Sequence, residues 1–189
     1  MNAVLSSRGS ALHPDLSDAQ VRIYQACGFA YSTPQPEAES AEYGAYTFAM
    51  DGANIRFRVA KTTPTKVGQF VTLWKRLGKG PIQPFDQSDD LDLLVVSTRS
   101  GPNFGQFVFP KAVLCAQGVM SIHGVGGKRA MRVYPPWDTT TSRQAQKTQA
   151  WQLDCFLDVP QTQPIDVDRA RRLYLYFQNR ESVCAVAAS

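Results

Sequence analysis

Alternating apolar and polar residues predict a series of strands through the middle of the chain. The segment AYTFAMDGANIRFRVAK has the pattern of a hairpin with Asp51 and Gly52 at its tip. On its second strand the apolar side chains face one way, and Arg56 and Arg58 face the other. Further strands are predicted at GQFVTLWKR, QFVFP, RAMRVYPPW and LDLLVV, the last so apolar that both of its faces should be buried.

Apolar residues at helical spacing predict helices near both ends and between the strands. The first helix is expected to start with a Ser17 cap and to turn Val21 toward the core. Residues 142–157 contain no glycine or proline and suit a helix with Arg143 and Lys147 opposite its inward face. The last helix, from about Asp166, is expected to bury Val167, Ala170, Leu173, Tyr174 and Phe177. This order of elements predicts an α/β (α+β) fold with a central mixed sheet flanked by helices.

Composition narrows the class of protein. The chain has 189 residues, 43% of them hydrophobic, which suits one domain with a substantial core. No apolar run approaches the roughly 20 residues that a membrane-spanning helix needs, and the N-terminus does not resemble a signal peptide. We therefore expect a cytoplasmic protein with no membrane partner. The four cysteines and two histidines have no metal-ligand spacing, so no structural metal or other cofactor is expected.

The charge distribution is more informative than the net charge of +4. Residues 52–85 carry seven basic residues and no acid, and residues 93–137 carry five basic residues and no acid. Between them, DQSDDLD holds four acids. A cationic stripe of this kind favours a polyanionic partner. The alternative is a set of solvated strand faces that point in different directions.

Two turns concentrate the positive charge. The sequence AKTTPTK is expected to be a stiff, proline-containing loop whose lysines and hydroxyls reach phosphate oxygens, and GKR is a second basic turn. The alternative for the first turn is that its threonines only satisfy their own backbone. If both turns meet at one sheet edge, they form a cationic groove. The candidate nucleic-acid-binding residues are Lys61, Thr63, Thr65, Lys66, Lys111, Lys128, Arg129 and Arg132.

Several longer motifs resemble the MepB family. They are FRVAKTTPTKVGQFVTLWKR, GPIQPF, FGQFVFPK, GKRAMRVYPPWD and KTQAWQLDCF, and the resemblance extends over about residues 39–156. The resemblance divides a single domain of 1–189 into an N-terminal helix and linker (1–35), a core (36–160) and a C-terminal helix (161–189). It implies a fold similar to type II restriction endonucleases and binding to DNA. Members are encoded beside multidrug-efflux genes in some bacteria, and the family has no settled biochemical function.

The endonuclease resemblance can be tested on individual residues. Such a site needs carboxylates on adjacent strands to hold Mg²⁺ or Mn²⁺, and a lysine nearby. Asp92 can supply the first carboxylate and is the one metal-ligand candidate, but Gln106 stands where the second acid belongs and Val108 where the lysine belongs. Lys111 follows five residues after Gln106, and Glu39 or Glu42 could add an acid from a helix. We expect Gln106 to lie beside Asp92, with Lys111 near them in the groove.

Three functions remain open on the sequence. The leading hypothesis is a DNA-binding protein with a degenerate endonuclease-like site, because a neutral glutamine supplies no charge to a metal ion. The first alternative is an active nuclease that uses Mg²⁺ or Mn²⁺. The second is a binding module for an anionic ligand or a protein partner in a stress or efflux response. In the leading hypothesis Asp86, Asp89 and Asp90 should lie away from the groove, since acids there would repel phosphate.

Overall fold

The computed structural model describes residues 12–175. In chain order, its strands are β1 (Gln35–Pro36), β2 (Tyr46–Met50), β3 (Ala53–Val59), β4 (Lys61–Thr63), β5 (Lys66–Thr72), β6 (Trp74–Arg76), β7 (Ile82–Pro84), β8 (Leu93–Ser100), β9 (Asn103–Pro110), β10 (Ala130–Val133) and β11 (Phe156–Asp158). The α-helices are α1 (Pro14–Ala19), α2 (Lys111–Ala116), α3 (Arg143–Leu153) and α4 (Val167–Tyr174). A π-helical segment, Gln20–Gln25, continues α1, and Ala41–Tyr43 forms a short 3₁₀ helix.

The strands form a central sheet and two smaller ones. The central sheet has six strands in the order β1-β2-β3-β8-β9-β11. It is mixed, because β3 and β8 run parallel while the other neighbours are antiparallel. The chain between β3 and β8 forms most of a three-stranded sheet, β10-β5-β4, and the ribbon β6-β7. The predicted central mixed sheet flanked by helices is confirmed.

Two apolar cores lie on opposite faces of the central sheet. The first core packs the sheet against α1, the π-helical segment and α4. The second packs it against β5, β10 and α2. Alternate residues of β8 enter the two cores, with Leu93 and Val95 in the first and Leu94 and Val96 in the second. The prediction that this strand is buried on both faces is therefore confirmed.

The predicted β2–β3 hairpin is also confirmed. Asp51 and Gly52 form its two-residue turn, with φ angles of 46° and 87°, as a tight hairpin between right-twisted strands requires. Ile55 and Phe57 are buried as expected. Arg58, on the opposite face, is also buried, and its guanidinium is paired with Glu37.

The first helix differs from its prediction. It begins at Pro14, where the His13 ring accepts the Asp15 N–H at 3.2 Å, so Ser17 lies inside the helix and not at its start. Val21 is 61% exposed, while Ile23 is fully buried. Tyr24 and Cys27, which follow Val21 at helical spacing, are buried, so the predicted inward face is wrong at Val21 only.

Two further boundaries correct the sequence predictions. Residues 142–157 do not form one helix, because α3 ends at Leu153 and β11 then pairs with β9 at the edge of the central sheet. The turn after β4 contains only Pro64 and Thr65, so Lys61 and Lys66 belong to strands and not to a loop. Of the last helix, Ala170 and Tyr174 are buried as predicted, and Phe177 lies outside the described residues.

Among residues 12–175, no helix is long and apolar enough to cross a membrane.

Candidate nucleic-acid interface

A groove between α3 and the edge strand β10 collects positive charge. It has a volume of about 860 Å³ and is open to solvent. Among the described residues that line it there is no aspartate or glutamate. We call it the basic groove, after the cations in its lining, Lys66, Lys128, Arg132, Arg143 and Lys147.

A buried glutamine holds α3 against β10. Gln152 is fully buried, its amide donates to the Arg132 carbonyl at 3.0 Å, and its carbonyl accepts the Tyr134 N–H at 2.9 Å. These bonds satisfy two backbone groups of an edge strand that no further strand covers. They also set the position of α3, so that Arg143 and Lys147, one helical turn apart, face the basic groove.

Arg132 is held in place at the border of the groove. Its Nη1 donates to the Gly68 carbonyl at 2.9 Å, and its Nη2 donates to the Thr63 hydroxyl at 2.7 Å. The guanidinium is therefore oriented by two strands of the small sheet. A guanidinium that is already ordered loses less side-chain entropy when it binds an anion.

The structure brings some of the predicted basic residues together. Lys66, Lys128 and Arg132 all line the basic groove. Arg129 does not line it; its side chain is exposed, and its carbonyl accepts the Leu73 N–H. Thr65 is an exposed turn residue outside the lining. Whether any of these residues contacts nucleic acid stays a prediction.

Lys61 and Thr63 lie beside the basic groove and do not line it. The Lys61 ammonium lies 4.4 Å from the centroid of the Tyr43 ring and 3.3 Å from the Glu42 carboxylate. Thr63 faces Arg132 through the hydrogen bond described above. The two residues therefore belong to the outer surface of the small sheet.

Two residues expected in the groove are elsewhere. The Lys111 ammonium donates to the Asp89 carbonyl at 2.8 Å, and Lys111 is not in the groove lining. Gln106 is fully buried, and its carbonyl accepts the Tyr174 hydroxyl at 2.6 Å. Neither side chain can contribute to the basic groove.

The expectation that Gln106 lies beside Asp92 is wrong. Gln106 pairs with Ser97, whereas Leu93, the residue after Asp92, pairs with Pro110. Gln106 therefore lies about five residues along the strand from Asp92, roughly 16 Å at 3.3 Å per residue. The cause is the tight turn between β8 and β9, which fixes every pairing in this hairpin.

The candidate carboxylates have other roles. The Asp92 carboxylate, just before β8, accepts the N–H of Asn54 on the neighbouring strand β3 at 2.8 Å. Glu39 pairs with Arg76 at 3.0 Å. In the described part of the chain, no group of three or more His, Cys, Asp or Glu side chains is arranged to hold a metal ion.

Glu39 lines a second pocket, of about 480 Å³, in which charges of both signs balance. Its acids are Glu37, Glu39, Asp89 and Asp90, and its bases are Arg56, Arg58, Lys75 and Arg76. Burial lowers the pKa of Arg58, and the adjoining Glu37 carboxylate opposes that effect. Asp89 pairs with Lys75, and Asp90 accepts the Asn54 amide at 2.5 Å. The acids of this pocket are thus already bonded to protein donors.

The acidic residues Asp86, Asp89 and Asp90 do not line the basic groove. Asp86 ties two loops together by accepting the Ser121 hydroxyl at 2.7 Å and the Gly124 N–H at 2.9 Å. The hydrogen bonds from Gly124, Ser121 and Ser88 hold the pKa of its carboxyl well below the usual range.

Sequence reasoning missed Arg143 and Lys147 as candidate binding residues. They were predicted to lie opposite the inward face of the helix, but in the structure they line the groove together with Trp151 and the buried Gln152. Their i, i+4 spacing, just after Ser142, was the available signal. Ser142 caps α3 by accepting the Ala145 N–H at 3.1 Å, so the positive end of the helix dipole lies beside the same cations.

The fold and the groove define an α/β protein with a central mixed sheet and a cationic cleft at the edge of a smaller sheet. Residues 37–158 match the family model described as MepB-like, and the chain belongs to this family. The crystal structure of MepB is similar, with a TM-score of 0.65 and 33% sequence identity. The match covers 68% of this chain and 86% of that one. Comparison with curated proteins found no match. The family predicted from the motifs is confirmed.

Proposed function

We propose that this protein binds DNA by holding the phosphate backbone in the basic groove. The observation that carries the proposal is the grouping of five cations around one open cleft of about 860 Å³ whose described lining contains no acid. The cations come from four separate parts of the chain, so the cluster is a product of the fold. Lysine and arginine side chains with no competing acids are the usual contacts of a phosphate backbone.

The groove is suited to recognising a backbone and not a particular sequence. Three of its five cations are lysines, which are flexible point charges that do not read base edges with fixed geometry. Arg132 already donates to two protein oxygens, which limits the donors left for a bidentate base contact. Binding is therefore phosphate-dominated, weakly selective and strongly dependent on salt.

In this proposal the endonuclease-like site is degenerate. Asp92 and Gln106 are separated along the β8–β9 hairpin, and the side chain of Gln106 is enclosed by the first core. Two carboxylates that share a metal ion must lie within a few ångströms of it. Binding in the groove needs no cofactor, and a nuclease would need Mg²⁺ or Mn²⁺ at a site other than this pair.

Membership of the MepB-like family supports the proposal that the protein binds DNA. The restriction-endonuclease-like fold that the resemblance implies belongs to proteins that act on DNA. We place the protein in the bacterial cytoplasm as part of this proposal, where DNA is available. A small anionic ligand or an acidic protein partner would meet the same cations, so the experiment must use DNA itself.

The test measures the salt dependence of duplex binding by fluorescence anisotropy. Arg143→Ala/Lys147→Ala removes two groove cations and should flatten the slope of log affinity against log salt by about two, with weaker binding to every sequence. The matched control, Lys79→Ala/Arg172→Ala, removes the same charge from two exposed residues outside the groove. It should leave the slope within about 0.5 of the parent value.

Two outcomes would contradict the proposal. If both double variants reduce the slope equally, the attraction is to net charge and not to the groove. If the parent protein binds neither duplex nor single-stranded DNA at low salt, or binds DNA with an affinity that the groove variant leaves unchanged, the groove is not a DNA site.

A further inference from the structure

The outer surface of the small sheet carries aromatic rings between cations. Phe70 lies on β5, the middle strand, directly opposite Lys61 on β4 and Arg132 on β10. Residues directly opposite in antiparallel strands share a face. The other face of β5 and β10 is buried, since Val71 and Val133 are both fully enclosed in the second core. Phe70 and its two basic neighbours therefore face outward.

The rings and cations on this surface are in direct contact. The Arg132 guanidinium lies 6.0 Å from the centroid of the Phe70 ring, and Lys61 lies 4.4 Å from that of Tyr43. The two rings are 6.3 Å apart and tilted. Tyr43 and Phe70 are each partly exposed to solvent. We call this set of four residues, Tyr43, Lys61, Phe70 and Arg132, the aromatic face.

The aromatic face continues the basic groove. Arg132 belongs to both, and Lys66, which lines the groove, starts the strand that carries Phe70. A strand of nucleic acid whose phosphates lie in the groove would bring its next nucleotides onto the aromatic face. One acid, Glu42, borders it and is paired with Lys61.

We infer that the aromatic face stacks unpaired nucleobases, so that single-stranded DNA is the preferred form of the ligand. This inference rests on the proposed function, because it requires phosphates in the groove. Bases inside a duplex are already stacked on each other and present only their edges to a protein. Unpaired bases stack on aromatic rings and on guanidinium planes, and all four bases do so because each has a π-face.

The occupant is a nucleic acid because of the charge around the rings. A second copy of the chain, with its own net charge of +4, would bring the same cationic face against this one. A polyanion instead gains from Lys61, Lys66 and Arg132 at the same time as its bases cover the rings.

The experiment separates bases from phosphates with three fluorescent ligands of equal length. They are oligo-dT, the same chain with abasic residues in place of every thymidine, and a mixed-sequence duplex, all measured by anisotropy at one salt concentration. Oligo-dT should bind roughly tenfold more tightly than the abasic chain for one stacked base, and more if two bases stack. It should also bind more tightly than the duplex.

Two variants assign the difference to the aromatic face. Phe70→Leu and Tyr43→Leu each keep an apolar side chain but remove one ring of the aromatic face, and neither residue lines the basic groove. Each should weaken oligo-dT binding several-fold and leave abasic binding nearly unchanged. Leu77→Ala, at a 63% exposed residue away from both surfaces, is the control and should change neither. Circular dichroism and a thermal melt show whether each variant is folded.

The outcomes distinguish this inference from the proposed function. If the abasic chain and oligo-dT bind equally, or the duplex binds as tightly as oligo-dT, base stacking is overturned while phosphate binding stands. If Phe70→Leu is folded and keeps the full preference for bases, the aromatic face is not the stacking surface. A doubled mass by light scattering that Phe70→Leu abolishes would identify a second copy as the occupant. If none of the ligands binds at low salt, both proposals fail.

Discussion

Replacing Gln106 with glutamate should destabilise the folded protein in a pH-dependent way. The side chain of Gln106 is fully buried between Tyr174 and the first core. Its amide nitrogen has no hydrogen-bond partner. A glutamate at this position would keep one hydrogen-bond donor, the Tyr174 hydroxyl, and would have no cation to pair with. The residue opposite, Ser97, donates to the Asp15 carboxylate at 3.0 Å, so a second anion would also meet repulsion.

The size of the effect follows from the cost of burying a carboxylate. Buried glutamates can titrate several pH units above their ordinary value of about 4.3. Each unit corresponds to about 1.4 kcal/mol, so a rise of two to three units costs about 3–4 kcal/mol when the group is ionised. The Tyr174 hydrogen bond offsets part of this, which leaves about 2–3 kcal/mol. Such a loss is a large share of the roughly 5–15 kcal/mol by which a domain is stable.

The sign of the pH dependence is fixed by the direction of the pKa shift. A carboxyl whose pKa is raised in the folded state holds its proton more tightly there than in the unfolded chain. Gln106→Glu should therefore be close to the parent protein in stability near pH 4, where the acid is neutral and nearly isosteric with glutamine. The free energy of unfolding should then fall, relative to the parent, as pH rises through the folded pKa.

Urea unfolding at pH 4.5 and pH 8 measures this difference. Gln163→Glu, at an exposed position, is the matched control and should show no comparable loss at pH 8. Equal stability of Gln106→Glu and the parent protein at pH 8 would refute the reasoning. So would tight Mn²⁺ binding by the variant in calorimetry, because it would place the new carboxylate beside Asp92.

Two further predictions concern single contacts. Asp86→Asn should lower the melting temperature at pH 7, because hydrogen bonds from Gly124 and Ser121 favour the ionised carboxyl. This stabilisation is present above about pH 4 and is lost on acidification, so the variant should differ less from the parent protein at pH 3. An equal difference in melting temperature at pH 7 and pH 3 would contradict this prediction. Gly105→Ala should lower the free energy of unfolding, measured in urea, by about 1–3 kcal/mol, because the new methyl would lie 2.2 Å from the Phe156 ring. A loss below about 0.5 kcal/mol would show that β11 can move aside.

The expectation for Gln106 was wrong because the sequence pattern did not specify the register between β8 and β9. The alternation of QFVFP predicts the strand from Gln106 onward, whereas β9 begins at Asn103, directly after the turn. The turn at Gly101 pairs Ser100 with Asn103, and that pairing sets Ser97 opposite Gln106. The pairing across this turn determines which residue of β9 lies opposite Asp92. Because the turn was not predicted, the candidate metal site was assigned to the wrong pair of residues.

The sequence predicted only three of the five cations of the basic groove, for a related reason. Lys66, Lys128 and Arg132 lie in or beside turns and strands whose charge pattern can be read directly. Arg143 and Lys147 join them because Gln152 fixes α3 against β10. That contact links residues about 20 positions apart, and no local pattern specifies it.

The sequence by itself determined β2, β3, β8 and β9 of the central sheet, the two-residue turn at Asp51–Gly52, the burial of β8 on both faces and the family. These properties depend on residues that are neighbours in the chain, through side-chain alternation and backbone preference. The tertiary structure decided that Gln106 is a core residue, that the Asp92 carboxylate binds the backbone of β3 and that five cations meet at one groove. Those properties depend on strand register and helix docking, which are set by contacts between distant residues as the two cores pack.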